Sequence, residues 1–287
     1  MEEIAELVDR HSARPAPPGL VLRRADTPTE PMPSLYEPFF ALVVRGAKRT
    51  VLGDRVFEYG TGEYLVASLE LPVIAHVVRA PYLVLGLTLR PALIAELLLE
   101  APPGPRAEAA PGMAVSRAGD DLLDPVLRLL RLLDHPDDLR VLRDGVEREI
   151  VWRLLTGEQA PTVRQIGRGD TTLAQVSRAI RWIREHHADL FRVEDVARVA
   201  GMSVTSLHRH FRAITTMTPL QYQKQIRLQA ARARLLAATG DVAEVGFAVG
   251  YESPSQFSRE YRRLFGMPPG QDAARLRELS PAARVEV

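Results

Sequence analysis

Between residues 39 and 90, apolar runs of four to eight residues alternate with Gly, Pro and Asp. FFALVV (39–44), RTVLG (49–53), RVFEYG (55–60), EYLVAS (63–68), VIAHVV (73–78) and YLVLGLTL (82–89) predict short strands at regular spacing, the pattern of an antiparallel barrel or sandwich. Both faces of many runs are apolar, which predicts a cover on one side. The first 35 residues are proline-rich and read as an irregular leading strand or arm. From Pro91 the period becomes helical: PALIAELLLE (91–100), a loop APPGPRAEAAPG (101–112), then two longer helices. Residues 120–133 set Leu123, Leu127 and Leu130 on one face, and residues 139–155 do the same with Leu142, Val146, Ile150 and Leu154. The leucine face of the first helix needs a partner: a helix of a second subunit, the barrel, or the next helix. TGEQAPTVRQIGRGD (156–170) reads as a linker, and the pattern beyond it is helical to about residue 270. The chain therefore divides into a strand-rich region with helices (1–160), a linker (161–171) and an all-helical region (172–287).

Residues 193–215, VEDVARVAGMSVTSLHRHFRAIT, have the grammar of a helix-turn-helix. Gly201 can take the left-handed conformation that ends a first helix at Ala200, and Ser203 suits the N-cap of the next. Val196, Ala197, Leu207 and Phe211 fall where two short crossed helices bury them, and small Ala197 permits close approach. The exposed face of the second helix then carries Thr205, Ser206, His208, Arg209 and Arg212. Such a helix presents its N-terminal end to base edges in the major groove; Arg209 can bond a guanine with two N–H groups, while the helix N-terminus and Arg212 suit phosphates.

The arrangement recurs in DVAEVGFAVGYESPSQFSREYRRLFG (241–266), with Gly250 ending a helix, Ser253 at the N-cap and Pro254 at the first helical position. Ser203 and Ser253, Arg209 and Arg259, Phe211 and Tyr261, and Arg212 and Arg262 are each 50 positions apart, with one extra residue in the second turn. Between the copies, PLQYQKQIRLQAARARLL (219–236) predicts one helix that spans roughly 27 Å at ~1.5 Å per residue. Such a rod can hold two reading heads about one DNA turn, ~34 Å, apart.

Residues 172–270 resemble the DNA-binding domain of the AraC/XylS family of bacterial transcription regulators. GMSVTSLHRHF, MTPLQYQKQIRLQAARARLL and VGYESPSQFSREYRRLFGMPP carry the match, and the Phe265–Pro269 ending is its most diagnostic part. Residues 32–73, MPSLYEPFFALVVRGAKRTVLGDRVFEYGTGEYLVASLELPV, resemble one subfamily's sensor domain. The resemblance implies an α+β two-domain chain, with an N-terminal cupin-like antiparallel β-barrel with helices that binds a small molecule or mediates dimerisation, and a C-terminal tandem helix-turn-helix domain. It implies base contacts from Thr205, His208 and Arg209 in the first copy and from Ser255, Gln256 and Arg259 in the second. Two positions depart from the family pattern. Thr216 stands where a glycine commonly follows the first recognition helix, so a left-handed turn there costs about 1 kcal/mol or more. Gly246 replaces the usual small alanine, which keeps the close approach but weakens its helix by about 1 kcal/mol.

Charge agrees with a division of labour. The net charge is +1, but residues 1–172 hold 20 basic and 25 acidic side chains, and the remainder holds 17 and 11. The basic C-terminal part suits a polyanion, although scattered surface arginines give the same balance. Lys48 and Lys224 are the sole lysines, a feature of coding bias. The absence of cysteine excludes disulfides, thiolate metal sites and thiol nucleophiles. No apolar run approaches the roughly 18 residues of a membrane span, and the acidic N-terminus has no signal-peptide core, so the expected location is the cytoplasm.

Candidate chemistry outside the helix-turn-helix pair is sparse. Tyr36, Phe40, Lys48, Tyr64, His76 and Tyr82 are the polar and aromatic candidates for lining the barrel, each equally readable as core or surface. His76 is alone in the strand region; His186 and His187 are adjacent and His208 and His210 two apart, both poor spacings for a shared metal on a helix. No metal or cofactor set, phosphate loop or G-x-S-x-G elbow is present. The expected partners are promoter DNA, a small-molecule effector, a second copy of the chain and, for an activator, RNA polymerase. The alternatives are a cupin-type small-molecule enzyme with a DNA-binding appendage, which the histidine count disfavours, and a non-specific DNA-packaging protein, which the modest charge and the capped helices disfavour.

Overall fold

The computed structural model describes residues 1–102, 110–168, 172–237 and 241–279. The middle of the 101–112 loop, residues 169–171 at the end of the expected linker, and the last eight positions lie outside the described residues. The chain forms two compact units, one centred on Tyr36–Ala174 and the other on Gln175–Arg212 with the residues from Met217 onward.

The first unit is a seven-stranded antiparallel sheet with helices. Its order is β1 (Leu20–Ala25), β6 (Leu71–Thr88), β3 (Phe39–Leu52), β5 (Glu63–Ala67) and β7 (Met113–Arg117); β2 (Met32–Tyr36) also pairs with β6, and β4 (Arg55–Gly60) with β3. The runs FFALVV and RTVLG are thus one 14-residue strand, and VIAHVV and YLVLGLTL one of 18. Gly46 is why the expected break is absent. A Cβ on it would lie 2.3 Å from the Arg79 carbonyl oxygen and 2.6 Å from that of Pro81, and its φ is +80°. The glycine therefore permits a close strand approach at a bulge, where the ladder register shifts, and is not a turn.

Three further elements depart from the sequence reading. The leading arm begins with helix α1 (Glu2–His11), whose Ile4, Leu7, Val8 and His11 form one buried stripe. β7 follows the 101–112 loop, and α5 (Ala160–Arg164) falls within the stretch read as linker. α2 (Pro91–Glu100) forms as predicted. In α3 (Asp120–Leu132) the buried face is Leu122, Val126, Leu129 and Leu130, while Leu123 and Leu127 are half-buried at its margin. α4 (Pro136–Thr156) buries Val146, Ile150 and Leu154, but Leu142 is exposed because packing starts one turn later. The core joins α1, α3 and α4 to one face of the sheet, so the leucine-rich helix finds partners within its own chain.

The second unit is all-helical: α6 (Thr172–Glu185), α7 (Val193–Ala200), α8 (Val204–Thr215), α9 (Pro219–Ala237), α10 (Val242–Ala248), α11 (Pro254–Phe265) and α12 (Pro269–Leu279). α9 has 19 residues, about 28 Å at ~1.5 Å each. Its N-terminus carries a reciprocal cap: the Thr218 N–H donates to Gln221 Oε1 (2.8 Å) and the Gln221 N–H to Thr218 Oγ1 (3.2 Å). Near that end Tyr222 meets Phe211 edge to face at 5.6 Å, and further along Leu228, Ala231 and Leu235 enter the core around Phe257 and Tyr261.

Candidate nucleic-acid interface

Each copy of the motif is positioned by its turn. Gly201 is left-handed (φ 69°, ψ 38°) and ends α7; Gly250 has φ +90°. Ser203 Oγ accepts from the Ser206 N–H at 3.2 Å, and Ser253 Oγ accepts from the Gln256 N–H at 3.4 Å, so both recognition helices begin at a serine N-cap. Their far ends also match. Thr216 has φ +65° and Gly266 +82°, which places the expected strain at Thr216. Gly246 lies against Phe257, as its close approach requires.

Burial then sorts the faces. Leu207 and Phe211 of α8, and Phe257 and Tyr261 of α11, are fully buried. Ser203, Thr205, His208, Arg209 and Arg212 are exposed, with Ser206 half-buried; Ser255, Gln256, Arg259 and Arg262 are exposed, with Ser253 half-buried. Each helix thus gathers its sequence-predicted residues on one solvent-facing side. Arg209 leans on His210 (Nη2 to Nε2, 3.1 Å). Arg212, Arg259 and Arg262 stand in no ion pair with another described residue. In the first unit, by contrast, Arg24, Arg49, Arg131 and Arg148 each meet a carboxylate. Exposed guanidinium groups outside ion pairs are available to phosphates and guanine edges.

Supporting residues that the sequence reading passed over hold α11. Glu260 bonds Lys224 of α9 (2.9 Å) and accepts from the Tyr251 hydroxyl (2.9 Å). Burial opposes the charge on Glu260, but the bonds from Lys224, Tyr251 and Gln256 hold its carboxyl below the ordinary range. Burial and the Glu260 bond push the Tyr251 phenol upward. Lys224 and Glu260 carried no motif of their own.

The six candidate lining residues of the first unit separate. Phe40 and Tyr64 pack together (5.5 Å) in the core facing α1, α3 and α4. Lys48 registers with Val77 and Tyr59, and the next residue, Arg49, registers with His76 and Glu58, so His76 leaves the opposite face from Lys48. Tyr36, Lys48 and Tyr82 do gather. The Lys48 ammonium lies 5.5 Å from the Tyr36 ring, and Thr50 Oγ1 bonds both the Tyr36 hydroxyl (3.4 Å) and the Tyr59 hydroxyl (3.1 Å). Burial, then neighbouring phenols, pushes Tyr59 and Tyr82 well up. Burial also acts on Tyr36, but Lys48 and the hydroxyl bonds bring it below its ordinary value. Thr50 and Tyr59 were absent from the sequence reading, though strand alternation from Lys48 reaches Thr50 directly. Among the described residues no group of three or more His, Cys, Asp or Glu could hold a metal ion, and no helix is long and apolar enough to cross a membrane.

Comparison with known proteins agrees with both units. The family model described as AraC-type transcriptional regulator N-terminus matches residues 16–162, and a helix-turn-helix domain model matches 196–275. The HTH-type transcriptional activator RhaS of Escherichia fergusonii is 29% identical over 165 residues, covering 55% of this chain and 58% of that one. RhaS of Salmonella paratyphi A is 27% identical over 164 residues, with the same shares. The matches thus span less than two thirds of these curated relatives. Among solved structures, an apo variant of ToxT from Vibrio cholerae strain SCE256 superposes with a TM-score of 0.54 at 8% identity, covering 91% of this chain and 99% of that one, a likeness of fold.

Proposed function

The chain belongs to the AraC family of transcriptional regulators, and from that premise we propose that it binds promoter DNA sequence-specifically through two recognition helices set in successive major grooves. One observation carries this reading: two serine-capped helices, 50 residues apart in sequence, each expose hydroxyl and arginine groups, with His208 in the first and Gln256 in the second, over a buried aromatic face. Thr205, His208 and Arg209 read bases in one groove, and Ser255, Gln256 and Arg259 in the other. Ser203, Ser206, Arg212, Ser253 and Arg262 hold the flanking phosphates. The first unit is the regulatory module. Its effector site is the cluster of Lys48, Tyr36, Thr50, Tyr59 and Tyr82, where an ammonium and phenols stand among apolar strands and can fix a small polar or acidic molecule. A structural neighbour, ToxT of Vibrio cholerae O395, is described with a bound naphthalenyl butenoic acid. Effector binding shifts the population of a DNA-competent state. Homodimerisation belongs to the same proposal, with exposed Val141 and Leu142 of α4 as an apolar contact, and RNA polymerase is the partner if the protein activates, as RhaS is described to do.

Fluorescence-anisotropy titration against DNA upstream of the protein's own and adjacent genes, with random DNA of equal length at ~0.15 M salt as control, tests the reading. A preference of ~10³-fold or more supports it, and equal binding to genome-wide fragments and random DNA removes it.

A further inference from the structure

Two reading heads on one helix are of use only if their spacing and relative rotation are fixed, because one base pair of error turns a head by roughly a tenth of the ~10-bp helical repeat. A single helix fixes the distance, but its side contacts must fix the rotation. Two side chains of α9 one turn apart, Gln223 and Arg227, do this. The Arg227 guanidinium donates to four backbone carbonyls: Nε to His187 (2.5 Å), Nη2 to Ala188 (3.3 Å) and Asp189 (2.9 Å), and Nη1 to Gly250 (2.8 Å). Gln223 Nε2, one turn earlier, donates to the His187 (3.0 Å) and Asp189 (2.9 Å) carbonyls. Residues 187–189 link α6 to α7 and lead into the first motif, whereas Gly250 is the turn of the second. That link and the second turn also touch: a Cβ on Gly250 would lie 2.1 Å from the Ala188 carbonyl oxygen. Beside Arg227, Lys224 holds Glu260 of the second recognition helix.

We infer that Arg227, with Gln223, is a positioning residue that locks the two helix-turn-helix motifs at one mutual rotation and so sets which half-site spacing the protein accepts. The inference rests on the two-groove reading above. Neither side chain is on the exposed row of a recognition helix; they act on the bases through the backbone that leads into the first motif and the turn of the second. The rigid fork of arginine is suited to several carbonyls at once, whereas a lysine ammonium in its place reaches fewer of them.

The test begins with the full chain and a random duplex pool, from which the preferred DNA is enriched. Duplexes with one base pair inserted or removed between the two half-sites are then compared with the enriched sequence by anisotropy. The wild-type protein is expected to lose affinity by about tenfold or more on insertion, the scale of one lost base contact. In R227K and Q223M that ratio is expected to fall to within about threefold, because loosened heads adapt to either spacing. Thermal melting by circular dichroism accompanies each titration; Q223M removes two of the contacts and leaves Arg227 in place, so it reports even where the arginine variant is too unstable. A protein that is merely destabilised loses affinity for every duplex alike and keeps the wild-type ratio, and that outcome overturns the positioning role. A wild-type protein indifferent to the insertion overturns the two-groove reading and this inference with it.

Discussion

Arg232 and Asp272 meet as a two-pronged ion pair inside the second unit, Nε to Oδ2 at 2.7 Å and Nη2 to Oδ1 at 3.0 Å, with 4% and 1% of their side chains exposed. Asp272 also accepts from the Tyr261 hydroxyl at 2.8 Å, so α9, α11 and α12 are joined at one carboxylate. Removing one member strands the other charge in the core. Asp272→Ala is expected to destabilise the second unit by about 3–5 kcal/mol. Urea unfolding followed by circular dichroism measures it, and a loss below about 1 kcal/mol shows that the carboxylate is dispensable.

Gly246 tests the packing of the second motif. A Cβ there would lie 3.0 Å from Phe257 Cδ1 and 3.2 Å from Cγ. Phe257 is fully buried between Tyr251 and Tyr261 and has little room to retreat. Gly246→Ala gains about 1 kcal/mol of helix propensity but costs about 1–3 kcal/mol of overpacking, so a lower melting temperature is expected. A higher one means that the Phe257 ring moves aside.

The serine caps should count equally in both motifs. Ser203→Ala and Ser253→Ala are each expected to cost about 1 kcal/mol. Unequal losses of more than about twofold in a denaturant titration show that one recognition helix depends on something other than its cap.

His76 gives the first unit a pH dependence. Partial burial and then Arg49 lower its pKa against the opposing pull of Glu30 and Glu58. The folded state therefore takes up the proton less readily than the unfolded chain. Stability from this source is present above the unfolded value of about 6.5 and is lost as pH falls through the folded one. Melting between pH 7.5 and 5 should show a decline that His76→Asn reduces; an identical decline in the variant shows that another group titrates.

The helix-turn-helix pair was legible in the sequence because its signals are local: glycine to end a helix, serine to begin one, and a buried aromatic two turns later. Two features of the first unit were hidden for the opposite reason. Gly46 looks like turn punctuation until the approach of Arg79 and Pro81, more than 30 positions away, shows it to be a bulge. Phe40 and Lys48 lie on one strand at even spacing, yet the register shifts between Val43 and Lys48 separate the helix-facing core from the tyrosine cluster. α1 was readable, since Ile4, Leu7, Val8 and His11 keep helical spacing, but the prolines that follow masked it. Arg227 had no signal of its own, because backbone carbonyls carry no side-chain motif.

The most direct measurement takes the enriched duplex and scrambles either half-site in turn, then titrates wild-type protein, Arg209→Ala and Arg259→Ala against all three DNAs. Each substitution should cost about 1–3 kcal/mol on the intact duplex, and that cost should vanish only when the half-site read by that arginine is scrambled. Equal losses for both variants on every duplex, random DNA included, contradict sequence reading by two separate heads.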